Sequence, residues 1–271
     1  MTPLERTMAK RLRTEPTRSA RAVVLPDDAW WSVCEYASMD DLLEWELVCR
    51  QLRRCVRRYG LAANGLSARI HAAVEQQYKG LSAAVRSIQA AFSGGSLLEL
   101  LYMGNTRGVR WEPHRRDVDV FLSNEHADAT ARCKVMQEWF EGLHKSHANP
   151  HALEVADDYW NIKDLARRTT MYLYEREVVL DLVEFRGHRR DPCVFIGAGF
   201  DLDFCKVAWD GKRVHLLCKP ALRSRSSVVH MHELVTGNVD DDVAASAFNT
   251  REEMMTARYD KYEKRGFRIV R

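Results

Sequence analysis

Residues 115 to 122 read RRDVDVFL, two aspartates one residue apart inside an otherwise apolar run. In a strand, alternate side chains share a face, so Asp117 and Asp119 point one way while Val118 and Val120 point into a core. Two like charges side by side repel, and a charge inside an apolar strand is costly unless it is paired or metal-bound. A divalent cation held between the two removes both costs. The competing explanation is an edge strand that turns its charges to solvent.

A third carboxylate has a similar setting. In REVVLDLVEF, residues 176–185, the β-branched, alternating character reads as a strand with Asp181 at its centre. The preceding TTMYLYE reads as its hairpin partner, turning near Glu175, Arg176 and Glu177. Ahead of the aspartate pair stands SGGS, residues 93–96, where Gly94 and Gly95 break a helix and Ser96 can cap another that begins at Leu97. Such a turn gathers free backbone N–H groups and the positive end of a helix dipole at one spot, which suits a phosphate.

This arrangement resembles the polymerase-β-like nucleotidyltransferase superfamily. Its pattern is a Gly followed by Gly or Ser opening a helix, then Asp-x-Asp or Asp-x-Glu between apolar residues, then a later Asp on a neighbouring strand. Gly95, Ser96, Asp117, Asp119 and Asp181 stand at those positions, and the resemblance covers about residues 68 to 190. The stretch between Ser96 and Asp117 is longer than the family usually has. The resemblance implies a Mg²⁺-dependent enzyme in which Asp117, Asp119 and Asp181 ligate metal, oxygen ligands being what Mg²⁺ prefers. Two such ions about 3.5 to 4 Å apart clamp the attacking and leaving oxygens. Asp181 would also help deprotonate an attacking hydroxyl. Gly94, Gly95 and Ser96 would hold the triphosphate of an NTP, with Arg115 and Arg116, and further off Arg107 and Arg110, as added phosphate contacts.

The N-terminal part is of a different kind. Residues 1–22 form a basic tail, and its lack of an apolar core segment argues against a secretory signal. Residues 23–58 read as three short helices. The first begins after Pro26, with Asp27 and Asp28 in its opening turn, and carries Ala29, Trp30, Val33, Cys34 and Ala37. Ser38 or Asp40 caps a second with Leu42 and Leu43, and a third runs through Leu47, Val48, Leu52, Cys55 and Val56 with arginines on the other face. So small a trio leaves apolar surface for a partner.

The order Leu25-Pro26, Tyr36, Asp41-Leu42, Val48-Cys49-Arg50 resembles an F-box. Ala37 stands where that family has a larger aliphatic residue, and Leu52 where a tryptophan is common. The resemblance implies docking on the Skp adaptor of a cullin-type ubiquitin ligase, through Leu25, Pro26, Trp30, Leu42 and Val48. The remainder of the chain would then capture a target.

Between the modules, Leu66, Ile70, Val74, Leu81, Val85, Ile88 and Phe92 recur at helical spacing, which predicts one long helix eased at Gly80. Further on, FDLDFCKVAWDGKRVHLLC predicts two strands joined at Asp210-Gly211. Asp201 and Asp203 read as strand-entry residues, with a reserve role as metal ligands. This hairpin and RYDKYEKRGFRIV near the C-terminus resemble segments of uncharacterised proteins of large DNA viruses, protists and fungi. His144, His147 and His151, and His230 with His232, read as polar loop residues rather than zinc ligands, having no cysteine or acidic partner at ligand spacing.

Composition narrows the classes further. A net charge of +3 over 271 residues argues against a broad nucleic-acid surface, so any phosphate binding is local. The seven cysteines form no CxxC pair and read as reduced, buried thiols of a cytoplasmic or nuclear protein. No apolar run is long enough to span a membrane. No phosphate-binding P-loop, dinucleotide fingerprint or Ser-His-Asp set is present. The expectation is an α+β chain: the helical trio, then residues 66–271 as a nucleotidyltransferase-like mixed sheet of about five strands flanked by helices.

Overall fold

The computed structural model describes residues 29–30, 33–34, 37–48, 50–60, 65–102, 116–125, 129–143, 151–153, 165–173, 178–186, 191–229, 253 and 255–270. Leu25, Pro26, Tyr36 and Cys49 lie outside them.

In the helical trio, residues 29, 30, 33 and 34 are helical, followed by α1 (Met39–Val48) and α2 (Arg50–Cys55), which continues into a π turn, Val56–Gly60. The start of α1 is fixed by a reciprocal cap. The Ser38 hydroxyl accepts from the Asp41 backbone N–H at 3.1 Å, and the Asp41 carboxylate accepts from the Ser38 backbone N–H at 3.1 Å and from its hydroxyl at 2.7 Å. Cys34, Ala37, Leu42 and Val56 close a small core of their own. Leu42 is therefore wholly buried, which corrects its assignment to a partner surface: it holds the trio together from inside.

The trio does not stand apart from the rest. Met39 and Leu43 belong to the main core, beside Leu66, Ile70 and Leu81. The buried carboxylate of Glu46 accepts from Arg57 Nε at 2.8 Å and from Lys219 Nζ at 3.1 Å, tying α1 to a helix far along the chain. Burial pushes this carboxyl upward, yet the hydrogen bonds from Arg57 and Lys219 outweigh it and hold Glu46 below the usual range. Arg69 Nη1 donates to the Ala37 carbonyl at 2.6 Å, and Arg225 pairs with Asp40.

The long helix predicted over 66–92 is two helices, α3 (Leu66–Gln77) and α4 (Leu81–Ser87), and then a strand. The first helix ends with Tyr78 as its C-cap, and Gly80, in a left-handed conformation with φ +83, is the N-cap of the second. The Glu75 carboxylate spans the break, accepting from the backbone N–H groups of Gly80 at 2.8 Å and Ser82 at 3.1 Å. Beyond α4 the Arg132 guanidinium takes the Ile88 carbonyl, and the chain turns at Gln89, φ +51. The seven stripe residues are nonetheless all buried, because both helices and the strand face one core.

Among the described residues the sheet has seven strands in the order β3-β4-β5-β2-β1-β6-β7. They are β1 (Ala91–Ser93), β2 (Arg116–Ser123), β3 (His151–Leu153), β4 (Leu165–Leu173), β5 (Val178–Phe185), β6 (Val207–Trp209) and β7 (Val214–Leu216). Only β2 and β5 run parallel; the other neighbours are antiparallel. Helices α5 (Gly94–Tyr102), α6 (Ala129–Gly142), α7 (Pro192–Gly199) and α8 (Lys219–Ser224) flank the sheet. Strand β8 (Ser226–Val228) pairs with β9 (Arg268–Val270), and the helix between them, α9, spans residues 255–264. The fold is thus α+β, with more strands than the five expected. Three-residue strands such as β1, β6 and β7 are too short to show a full period in sequence.

The two faces of the sheet differ. Val118, Val120, Leu122, Leu180, Leu182 and Phe92 point into the main core. On the other face, Phe121, Phe185, Ala91 and Ala208 meet Ile196 of α7, with the Phe185 and Phe195 rings stacked at 4.5 Å. Strand parity puts Asp117, Asp119 and Asp181 on this second face, at the opposite end from the apolar patch. Among the described residues all cysteines are free, and no helix is long and apolar enough to cross a membrane.

Candidate functional site

One transverse row of the sheet gathers the polar residues. The register aligns Ser93 of β1 with Asp119 of β2, Asp119 with Asp181 of β5, and Asp181 with Thr170 of β4. Paired strands lie about 4.8 Å apart, so Asp119 and Asp181 are immediate lateral neighbours. Asp117 sits two residues along β2, on the same face, opposite Val179. The Thr170 hydroxyl donates to Asp181 Oδ1 at 2.6 Å, and that side chain is buried. The Ser93 hydroxyl is occupied elsewhere, donating to the Val207 carbonyl at 2.5 Å.

The glycine turn abuts this row directly. Gly94 follows Ser93 at the end of β1 and opens α5 with φ +81. A Cβ added there would fall 1.9 Å from Asp119 Oδ2, so the carboxylate fills the space that glycine leaves. Asp119 thereby lies against the first turn of a nine-residue helix, whose leading N–H groups lack intrahelical acceptors. Ser96 does not cap the helix from outside as its sequence position suggested. It lies within the first turn, and its hydroxyl donates to the Asp117 carbonyl at 2.5 Å, fastening α5 to β2. With that proton committed, donation to a phosphate at this turn falls to backbone N–H groups.

Helix α9 supplies the cations that sequence reasoning passed over. A Cβ at Gly95 would meet Tyr262 Oη at 3.2 Å and Arg265 Nη1 at 3.7 Å. Lys261 lies within electrostatic reach of both Asp117 and Asp119. Desolvation of its amine and the neighbouring Arg265 and Arg258 charges lower its pKa, while the two aspartates raise it; the net direction is down. The signal was legible in Arg258, Lys261 and Arg265, whose spacings of three and four put them on one helical face.

The other proposed residues are distributed unevenly. Arg107, Arg110 and Arg115 lie outside the described residues, and of Arg116 only the backbone is described, opening β2. Asp201 pairs with Arg258 at 3.2 Å and Asp203 with Lys206 at 2.6 Å, so each of the reserve ligands is engaged by a cation. His144, His147, His230 and His232 lie outside the described residues, and His151 begins β3. In the trio, Trp30 is helical and half-buried, while Val48 at the end of α1 is 66% exposed.

Magnesium suits this donor set in kind, since every candidate ligand is a carboxylate oxygen and all three acids share one sheet face. Among the described residues, however, no three His, Cys, Asp or Glu side chains are drawn together as a group that could hold a metal ion. The strand register brings the backbones of Asp119 and Asp181 to adjoining positions, with Asp117 two residues along.

No family model matches the chain, and neither does any curated protein or solved structure.

Proposed function

We propose that the row of Asp117, Asp119 and Asp181 is the site of a nucleotidyltransferase that moves the NMP portion of an NTP onto an acceptor hydroxyl, forming the bond from that oxygen to the α-phosphorus and releasing pyrophosphate. The observation that carries this reading is the contact of the Gly94 turn with the Asp119 carboxylate, at the row where Asp119 and Asp181 stand side by side. A phosphate seated on the first turn of α5 is met by backbone N–H groups on one side and by carboxylates on the other. Asp117, Asp119 and Asp181 would hold Mg²⁺, which would neutralise the phosphate charge and polarise the phosphoryl oxygen. Asp181, with one oxygen held by Thr170, is oriented to take the proton of an incoming hydroxyl. Lys261, Tyr262 and Arg265 flank the turn as candidate partners for the remaining phosphate oxygens. The test is titration calorimetry of the purified chain with each NTP. Binding in the presence of Mg²⁺ and its loss in EDTA are expected, together with incorporation of α-labelled nucleotide into an acceptor. If none of the NTPs binds with Mg²⁺ at millimolar concentration, the reading fails.

A second reading, compatible with the first, rests on exposed apolar residues of the trio. Val33, Leu47 and Val48 are 38%, 52% and 66% exposed. Apolar surface of this kind suits an F-box-like helical module docking on a Skp-type adaptor of a cullin ubiquitin ligase, in the cytoplasm or nucleus, with the sheet domain as target-recognition or catalytic module. Val48→Asp is expected to abolish capture of a purified Skp adaptor. Failure of the wild-type chain to bind the adaptor at micromolar concentration would remove this reading and leave the nucleotide site unaffected.

A further inference from the structure

Between residues 50 and 58 the chain reads RQLRRCVRR, five arginines and no acidic residue, a local charge larger than the +3 of the whole sequence. Arg50, Arg53, Arg54, Arg57 and Arg58 follow the spacing of one helical face along α2 and its π turn. All five are exposed, and among the described residues these five line an open cleft of about 620 Å³.

The Glu46 carboxylate is shared between Arg57 and Lys219, Arg53 Nε donates to the uncharged Glu46 carbonyl at 2.8 Å, and the Arg58 guanidinium lies over the Tyr59 ring, 5.2 Å from its centroid. Arg50 and Arg54 meet no partner among the described residues. Like charges three and four residues apart on one helix repel, and a bound anion relieves that repulsion.

We propose that this arginine stripe binds the phosphate backbone of a single-stranded nucleic acid. Guanidinium forks match phosphate oxygens two at a time. Eight residues of helix span roughly 12 Å. At the spacing of one strand of a duplex, one phosphate per about 3.4 Å of axis, that length faces at most about three charges. An acidic protein would also be attracted, but protein interfaces seat their arginines beside desolvated apolar or aromatic anchors, and among the described residues the cleft is lined by arginine alone. Backbone binding needs only counterion release. Among the described residues the lining holds no aromatic side chain, and the neighbouring Tyr59 ring lies under Arg58, which implies little base preference, since stacking is what reads an unpaired base. The stripe thus confines nucleic-acid binding to a small patch of a chain whose net charge is close to neutral. The proposal does not depend on the nucleotidyltransferase reading.

The experiment is fluorescence anisotropy of the full chain with mixed-sequence ribo- and deoxyribo-oligonucleotides, over about 50 to 200 mM KCl. Sequence-independent binding is expected, with log K falling against log salt at a slope near −2, the value for about three phosphates on a single strand. The double variant Arg50→Glu/Arg54→Glu is expected to bind at least about tenfold more weakly, as two lost phosphate contacts imply. The pair Arg50→Lys/Arg54→Lys, which keeps the charge, retains most binding and controls for folding. Asp119→Asn should bind oligonucleotide like wild type, which separates this surface from the nucleotide site. Absence of binding at the lowest salt, or equal binding by wild type and the glutamate variant, overturns the proposal. So does tighter binding of polyglutamate than of oligonucleotide, which would assign the stripe to an acidic protein instead.

Discussion

Asp119→Asn is expected to remove NTP transfer while leaving the sheet folded. Asparagine has nearly the shape of aspartate, so the packing of the side chain against Gly94 survives, and only the charge that would hold the cation is lost. Losing several kcal/mol of charge stabilisation in the transition state corresponds to a rate loss on the order of 10³-fold. The stability change should be small, because the variant loses the attraction of Lys261 but is relieved of repulsion from Asp181 beside it and from Asp117 two residues away. Single-turnover assays with labelled NTP, alongside thermal melts, separate the two effects. A variant that transfers as fast as wild type and melts at the same temperature would show that the acids serve no catalytic purpose.

Gly94→Ala approaches the same centre from the backbone. Its new methyl group would stand 1.9 Å from Asp119 Oδ2, so the carboxylate must swing away. The positive φ adds a strain of about 1 to 2 kcal/mol for a residue with a Cβ. This variant should therefore lose activity as Asp119→Asn does, but lose stability as well. The contrast tests whether the geometry of the turn, rather than the acid alone, makes the site.

Local chemistry made the parts of this site legible in sequence. Alternation placed Asp117 and Asp119 on one face because the strand period is fixed by the backbone, and the burial of Val118 and Val120 follows from the same rule. What alternation does not contain is the partner strand or its register. That Asp119 faces Asp181 depends on how a long crossover returns β5 parallel to β2. The cations of α9 were missed for a related reason, since they arrive from the last quarter of the chain through tertiary packing. Gly80 shows the opposite error: the apolar stripe ran unbroken across it, and nothing periodic betrayed that Glu75 would cap a second helix there. Leu42 was read by motif as a partner contact, whereas so small a trio needs its leucines to close its own core.

The second large effect concerns how far the helical trio is a separate unit. Leu43→Ala is expected to destabilise the entire chain, by roughly 2 to 5 kcal/mol, the cost of deleting a fully buried leucine side chain. Leu43 is wholly buried, and it lies in the core that also holds Leu66, Leu81 and Phe92, rather than in the small cluster around Leu42. Polar ties run across the same junction, from Arg223 Nε to the Leu43 carbonyl at 3.2 Å and from Lys219 to Glu46. An independent adaptor-docking module would have neither. At about 2 to 4 °C per kcal/mol for a chain of this size, the melting temperature should fall by roughly 4 to 20 °C. The transition should remain single, with tryptophan fluorescence and far-UV circular dichroism changing together. If instead a first transition moves and a second stays where it was, the trio folds on its own, and the contacts of Leu43 with the sheet domain contribute little to either part.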